Sequence, residues 1–236
     1  MARKKRAKSS QHAKDTRRIG TFDLKEKKPL VAAACVGVIV FLLLTALSLI
    51  ARRNGGNEIT VGESTGTGKT VSALADITVK DYGVITVALD ASAAPETVEN
   101  FTDLAKSGFY DGLTFHRIME GFMIQGGDPE GNGTGGSGHH ITGEFSANGH
   151  ENPISHVRGV ISMARAARDN DSASSQFFIV QQDSTFLDGQ YAAFGHVTEG
   201  MDVVDQICAD AQPIDNNGTI PPEEQPVITS ITIRKA

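Results

Sequence analysis

The chain has 236 residues, 39% hydrophobic and 21% charged, which is enough for one core of about 150 residues plus tails and too apolar for a disordered acidic chain. Two cysteines, one inside an apolar run and one far from it, exclude a disulfide-stapled scaffold and a four-thiolate zinc site. The net charge of −6 is unevenly divided: residues 1–28 hold 11 Lys/Arg against 3 Asp/Glu, and the acidic remainder argues against nucleic acid as its partner.

Residues 1–29 read as a basic cytoplasmic tail. From Leu30 to Ile50 no residue is charged; as a helix rising ~1.5 Å per residue this run matches a hydrocarbon core of ~30 Å. Lys25, Lys27 and Lys28 outweigh Arg52 and Arg53, so the positive-inside rule predicts one transmembrane helix with a cytoplasmic N-terminus, an extracytoplasmic remainder and a location at the cell membrane. A cleaved signal peptide is the competing reading, but it calls for an apolar run of only ~7–15 residues and a shorter basic region. Residues 51–75, rich in Gly, Ser and Thr, read as a flexible linker. Within it GESTGTGKT imitates a phosphate loop but has the wrong spacing, because Glu63 stands where the first Gly is needed.

Residues 76–236 read as the folded domain. In YGVITVALD, Ile85, Val87 and Leu89 alternate with Val84, Thr86 and Ala88, which predicts a strand with one fully buried face. A helix follows, with Pro95 in its first turn, Glu96 and Glu99 at its positive end, a stripe of Val98, Phe101, Leu104 and Ala105, and Lys106 and Gly108 closing it. TFHRI, FMIQGG, GVISMA, SQFFIV and YAAFGHV are short apolar runs between Gly- and Asn-rich turns, so a closed or sandwiched β structure is expected. Met201, Val204, Ile207 and Cys208 mark a second helix, and Val227, Thr229, Ile231 and Ile233 alternate through a final strand.

Most chemistries fail on spacing. His139, His140, His150 and His156 cluster in sequence, but in Gly- and Asn-rich loops without a ligand motif, so they read as loop and surface histidines and no metal is expected. Ser162 sits in an apolar run rather than a nucleophile elbow. Glu144 and Glu151 read as solvated carboxylates rather than an acid–base pair. What remains is FHRIMEGFMIQGGD, residues 115–128, where Arg117 is bracketed by Phe115, Ile118 and Phe122. By itself such an Arg is equally a snorkelling rim residue.

That segment, with GTGG (133–136), GVISMARA (159–166), SQFFI (175–179) and LDGQYAAFGHV (187–197), resembles the cyclophilin family of peptidyl-prolyl cis-trans isomerases, in order, over residues 77–234. The resemblance implies an eight-stranded antiparallel β-barrel capped by two α-helices, with a groove for proline-containing segments of unfolded or exported proteins. It implies Arg117 as the catalytic residue, with Phe122, Met123, Phe178 and Leu187 gripping the proline ring. Gln125 would support the Arg or bind the substrate backbone, and His116 falls at a groove position. Ala164, Arg165 and Ala166 would pair with the extended peptide, beside Gln176. No cofactor is implied, and the chain is expected to be monomeric. Three departures concern ligand preference: Phe186 replaces a Trp that cyclosporin-sensitive relatives carry, so only weak cyclosporin binding is expected; Arg165 replaces a frequent Asn; and Tyr191 replaces a frequent His. A rival reading is a non-catalytic peptide-binding or chaperone module at the membrane surface.

Overall fold

The computed structural model describes residues 71–236, so the expected tail, membrane helix and most of the linker lie outside the described residues. Among the described residues, eight strands form one antiparallel sheet: β1 (Ala73–Val79), β2 (Gly83–Leu89), β3 (Thr114–Met119), β4 (Met123–Asp128), β5 (Val160–Met163), β6 (Phe177–Val180), β7 (Ala193–Glu199) and β8 (Ile228–Arg234). The order is β3-β4-β6-β5-β7-β2-β1-β8. The sheet curls until its outer strands meet through a single bridge, Thr114 to Val227, and through Phe115 N–H donating to the Pro226 carbonyl at 2.9 Å. Closure therefore rests on a few bonds rather than a full ladder. Helix α1 (Pro95–Lys106) follows β2, and α2 (Met201–Asp210) follows β7.

The curl creates two faces. Inside, Phe101 from α1 packs with Tyr110, Phe177 and Phe194, ring centroids 5.2–5.5 Å apart, against Ile77, Ile85, Val87 and Leu89. Outside, a second apolar cluster unites Met123, Phe178, Val180 and Leu187, joined by the partly buried Phe122, Ala164 and Tyr191. Period-two alternation explains the division: along β6, Phe177 and Ile179 point in while Phe178 and Val180 point out. A fully apolar strand such as FFIV thus signals two buried faces, only one of which belongs to the barrel core.

The observed elements depart from expectation at three places. β1 starts at Ala73, inside the expected linker, and Ala75 is fully buried. On β2 both Thr86 and Ala88 are buried along with the expected face: Thr86 donates to Asp76 at 2.8 Å, and Ala88 is the register partner of His196 on β7. On β8 a register irregularity at Thr78/Val79 puts Ile228 rather than Thr229 into the core before Ile231 resumes the alternation.

Candidate active site

The site begins with a bulge. Pairing of β3 with β4 shifts register around Phe115 and Arg117, so Phe115 and Ile118 both face the core while Arg117, between them, is turned outward. Bulges re-aim side chains in this way at sheet edges. From Arg117 a row of register partners crosses the outer face: Arg117 opposite Gln125, Gln125 opposite Phe178, Phe178 opposite Ser162. Two glycines let neighbouring backbone approach closely beneath it. A Cβ on Gly126 would lie 2.6 Å from the Thr114 carbonyl oxygen, and Gly127, at φ +83°, would meet the Ser175 carbonyl at 2.6 Å.

The Arg117 guanidinium is held without a carboxylate. Its Nε donates to the Asn217 carbonyl at 2.7 Å and Nη1 to Gln125 Oε1 at 3.1 Å, while Nη2 lies 3.2 Å from the Met119 sulfur. No ion pair among the described residues includes Arg117. Burial draws its pKa below the ordinary guanidinium value, opposed by Tyr191 and Asp215, and the group stays cationic. Gln125 is fixed in turn: its Nε2 donates to Gln176 Oε1 at 2.9 Å, and Gln176 Nε2 donates to the Gly135 carbonyl at 2.8 Å. This relay sets the orientation of both amides, with the Gln125 oxygen toward the Arg.

Around that group lies a cleft of about 410 Å³, lined by His116, Arg117, Phe122, Met123, Gln125, Ala164, Arg165, Phe178, Leu187 and Tyr191 among the residues singled out from the sequence. Ala166 and Gln176 line an adjoining hollow of about 400 Å³ that shares Gln125, Ala164 and Arg165 with the cleft. Three placements differ from the simplest expectation. Phe186 is 66% exposed and stands outside the cleft, its ring 5.6 Å from Phe122, so it forms a rim rather than a wall. The Arg165 side chain folds back between the rings of Tyr191 (4.9 Å) and Phe145 (5.3 Å), and its Nε donates to the Gln190 carbonyl. His116 is buried, with both ring nitrogens out of solvent and without a hydrogen-bond partner, so it presents carbon rather than a donor. Burial lowers its pKa, against the pull of Asp128 and with the help of Arg117.

Asn132, Gly133, Asn217 and Thr219 also line the cleft and were not expected. The Asn217 contribution is a backbone carbonyl, positioned because Asp215 Oδ1 accepts the N–H groups of Asn217 and Thr219. A carbonyl role leaves no side-chain signature; the Asp-Asn-Asn-Gly turn at 215–218 was the available hint. Two other residues take structural places. Glu144 accepts from the Glu96 and Thr97 N–H groups and from the Thr97 hydroxyl, capping α1. His156, expected at the surface, is fully buried.

Residues 74–233 match the family model for cyclophilin-type peptidyl-prolyl cis-trans isomerases. Over 127 residues the chain is 49% identical to a peptidyl-prolyl cis-trans isomerase of Helicobacter pylori, covering 53% of this chain and 74% of that one. It is 47% identical over 123 residues to peptidyl-prolyl cis-trans isomerase B of Bacillus subtilis, covering 52% and 82%. A crystal structure of a cyclophilin-type isomerase from Cryptosporidium parvum, in the presence of the dipeptide Ala-Pro, superposes with a TM-score of 0.60 at 29% identity, covering 69% of this chain and 99% of that one.

Proposed function

The chain belongs to the cyclophilin-type peptidyl-prolyl cis-trans isomerases, and from that membership we propose that Arg117 catalyses rotation about X–Pro bonds held in the 410 Å³ cleft. The single observation that carries this reading is a cation, paired with no carboxylate among the described residues, beside an apolar wall on the outer face of the sheet. Rotation is slow because amide resonance gives a barrier of ~18–20 kcal/mol. In the twisted transition state the prolyl nitrogen regains its lone pair, and a donor aimed there binds that state better than the planar ones.

Arg117 has the donors to spare. Nε and one Nη1 hydrogen are committed to Asn217 and Gln125, which fix the plane of the fork, while Nη2 faces only a thioether, a weak acceptor that substrate displaces at little cost. Phe122, Met123, Phe178 and Leu187 take the prolyl ring, and the edge at Ala164–Ala166 receives the extended chain. Raising a rate of ~10⁻² s⁻¹ to ~10³ s⁻¹ requires about 7 kcal/mol. One charge-assisted hydrogen bond supplies ~1.5–3 kcal/mol. The rest comes from positioning the ring and from a dipole environment already arranged before substrate arrives. Replacing Arg117 by Ala lowers kcat/KM for a proline peptide by about a hundredfold or more while the fold persists; unchanged acceleration would show that the catalyst is elsewhere, and a wild-type chain that binds the peptide without accelerating it would be a binding module.

The chain's work is assigned to exported proteins by its N-terminal part: the basic residues 1–29, the apolar run 30–50 and the linker that follows support a single-pass anchor with the isomerase domain outside the cell membrane. Protease added to intact cells then removes the C-terminal domain, and complete protection in a cell with one membrane would place the domain inside.

A further inference from the structure

Behind the wall of the cleft lie three side chains that the reaction does not use. Asp188 Oδ1 accepts from His156 Nδ1 at 2.9 Å and from the His156 backbone N–H at 2.7 Å, and Asp188 Oδ2 accepts from the Ser155 hydroxyl at 2.6 Å. His156 Nε2 lies 3.1 Å from Ser162 Oγ. The order Ser–His–Asp is that of a serine hydrolase, but Ser162 and His156 are both 0% exposed, so no acyl group can reach the hydroxyl. With a carboxylate at Nδ1, the neutral ring carries its proton there and accepts the Ser162 hydroxyl at Nε2.

Each member belongs to a different wall of the cleft. Ser162 on β5 is the register partner of Phe178 on β6. Asp188 directly follows Leu187 at the end of the 3₁₀ turn Thr185–Leu187, and the His156 carbonyl accepts the Ser184 N–H at 2.7 Å on the other side of that turn. The His156 ring itself stacks on Phe178, with centroids 6.0 Å apart and planes 17° apart, while Tyr191 meets the same phenyl edge-on at 5.8 Å. Phe178 and Leu187 thus come from separate segments, and one imidazole is stacked on the first and bonded to Asp188, the chain neighbour of the second.

Taking the cleft as the proline site, we infer that His156 is a positioning residue: bonded at both ring nitrogens, it holds the Phe178 ring and the Leu187 turn at the separation that grips the prolyl ring. Adding a proton to Nε2 reverses the bond to Ser162, whose hydroxyl must then turn away in a closed space, and the two walls loosen. Among the described residues the charged group against His156 is Asp188, and burial outweighs it, keeping the ring neutral below the ordinary histidine range.

The test measures kcat and KM of the full chain for an Ala-Pro peptide over roughly pH 5 to 8, alongside thermal melts, for wild type, H156F and D188N. H156F keeps a flat face on Phe178 and removes both hydrogen bonds; KM rises about fivefold or more with kcat within about twofold, and the acid loss of grip due to this ring disappears. D188N keeps an acceptor oxygen for Nδ1 but removes the charge that favours the protonated ring, so the acid limb of kcat/KM moves to lower pH. His116, the other buried imidazole at the cleft, faces Asp128 and Arg117, and a limb of its own stays in place in D188N. A folded H156F with wild-type KM, or a D188N profile in which no part of the acid limb moves, overturns the role; if H156F does not fold, D188N decides alone. Failure of the proline-site reading looks different: the wild type itself then gives no acceleration, and the inference falls with it.

Discussion

At Gln125 one amide does two jobs: its oxygen receives the Arg117 fork and its nitrogen anchors to Gln176, which is anchored to the Gly135 carbonyl. Loss of this residue frees the guanidinium to rotate about its remaining bond to Asn217, without emptying the core. Gln125→Ala therefore lowers kcat/KM about tenfold, the equivalent of one hydrogen bond of ~1–1.5 kcal/mol, while the melting temperature stays within a few degrees of wild type. Steady-state kinetics beside a thermal melt checks both halves; an activity loss as large as that of Arg117→Ala would mean that Gln125 itself touches the reacting bond. The relay was legible in part, since the sequence resemblance singled out Arg117, Gln125 and Gln176. Its direction was not, because which atom of an amide faces which neighbour depends on a carbonyl at Gly135 that no side-chain pattern reveals.

Helix α1 shows what an element leaves to its surroundings. Its N-cap residue is Ala94, which has no side chain to offer, and Pro95 removes only one of the free N–H donors. Glu144, 48 residues downstream of Glu96, caps the helix instead with three accepted bonds. Glu144→Ala should cost about 2–3 kcal/mol, more than an ordinary cap, because the Thr97 N–H and hydroxyl are left buried without partners. Urea denaturation measures it, and a loss under about 0.5 kcal/mol would mean that water replaces the carboxylate. The helix itself was readable from Pro95, its apolar stripe and Gly108, since those signals are local. The cap was invisible because it is made across the chain by a loop whose carboxylate looks solvated in sequence.

At the scale of the whole domain, stability follows pH in two stages. His116 and His156 have pKa values lowered by burial, so folded they bind a proton less readily than the unfolded chain, whose value is near 6.5. Their contribution is complete above about pH 6.5 and declines as the pH falls from there toward the folded values, because the unfolded state takes up protons that the folded state refuses. Asp76, Asp128, Asp188 and Asp205 are also lowered, through hydrogen bonds to Arg234 and Thr86, to the backbone of residues 130–135, to His156 and Ser155, and to Arg158 and Gln181. For these the sign is the same but the window lies lower: their stabilisation is present above the ordinary carboxylate pKa of 3.8 and vanishes as the pH drops through the folded values. Melting temperature plotted against pH should therefore be level between about 6.5 and 8, slope downward below that range, and steepen under about 4. A profile level down to pH 4 would show that neither buried imidazole resists protonation.

The sequence by itself determined both helices, most of the strands and the identity of the cationic group at the cleft, because alternation, helical stripes and collinear motifs are properties of neighbouring residues. It also carried the apolar run at 30–50, whose length and flanking charges need no fold to be read. Tertiary structure decided the rest. It closed the sheet through one bridge, turned Arg117 outward by a bulge, set Phe186 on the rim and folded Arg165 between two rings. It also drew His156, Ser162 and Asp188 together behind Phe178. Each of these depends on which distant backbone lies opposite, and in a sheet where four of the seven neighbouring strand pairs are not consecutive in sequence, that is settled only when the sheet closes.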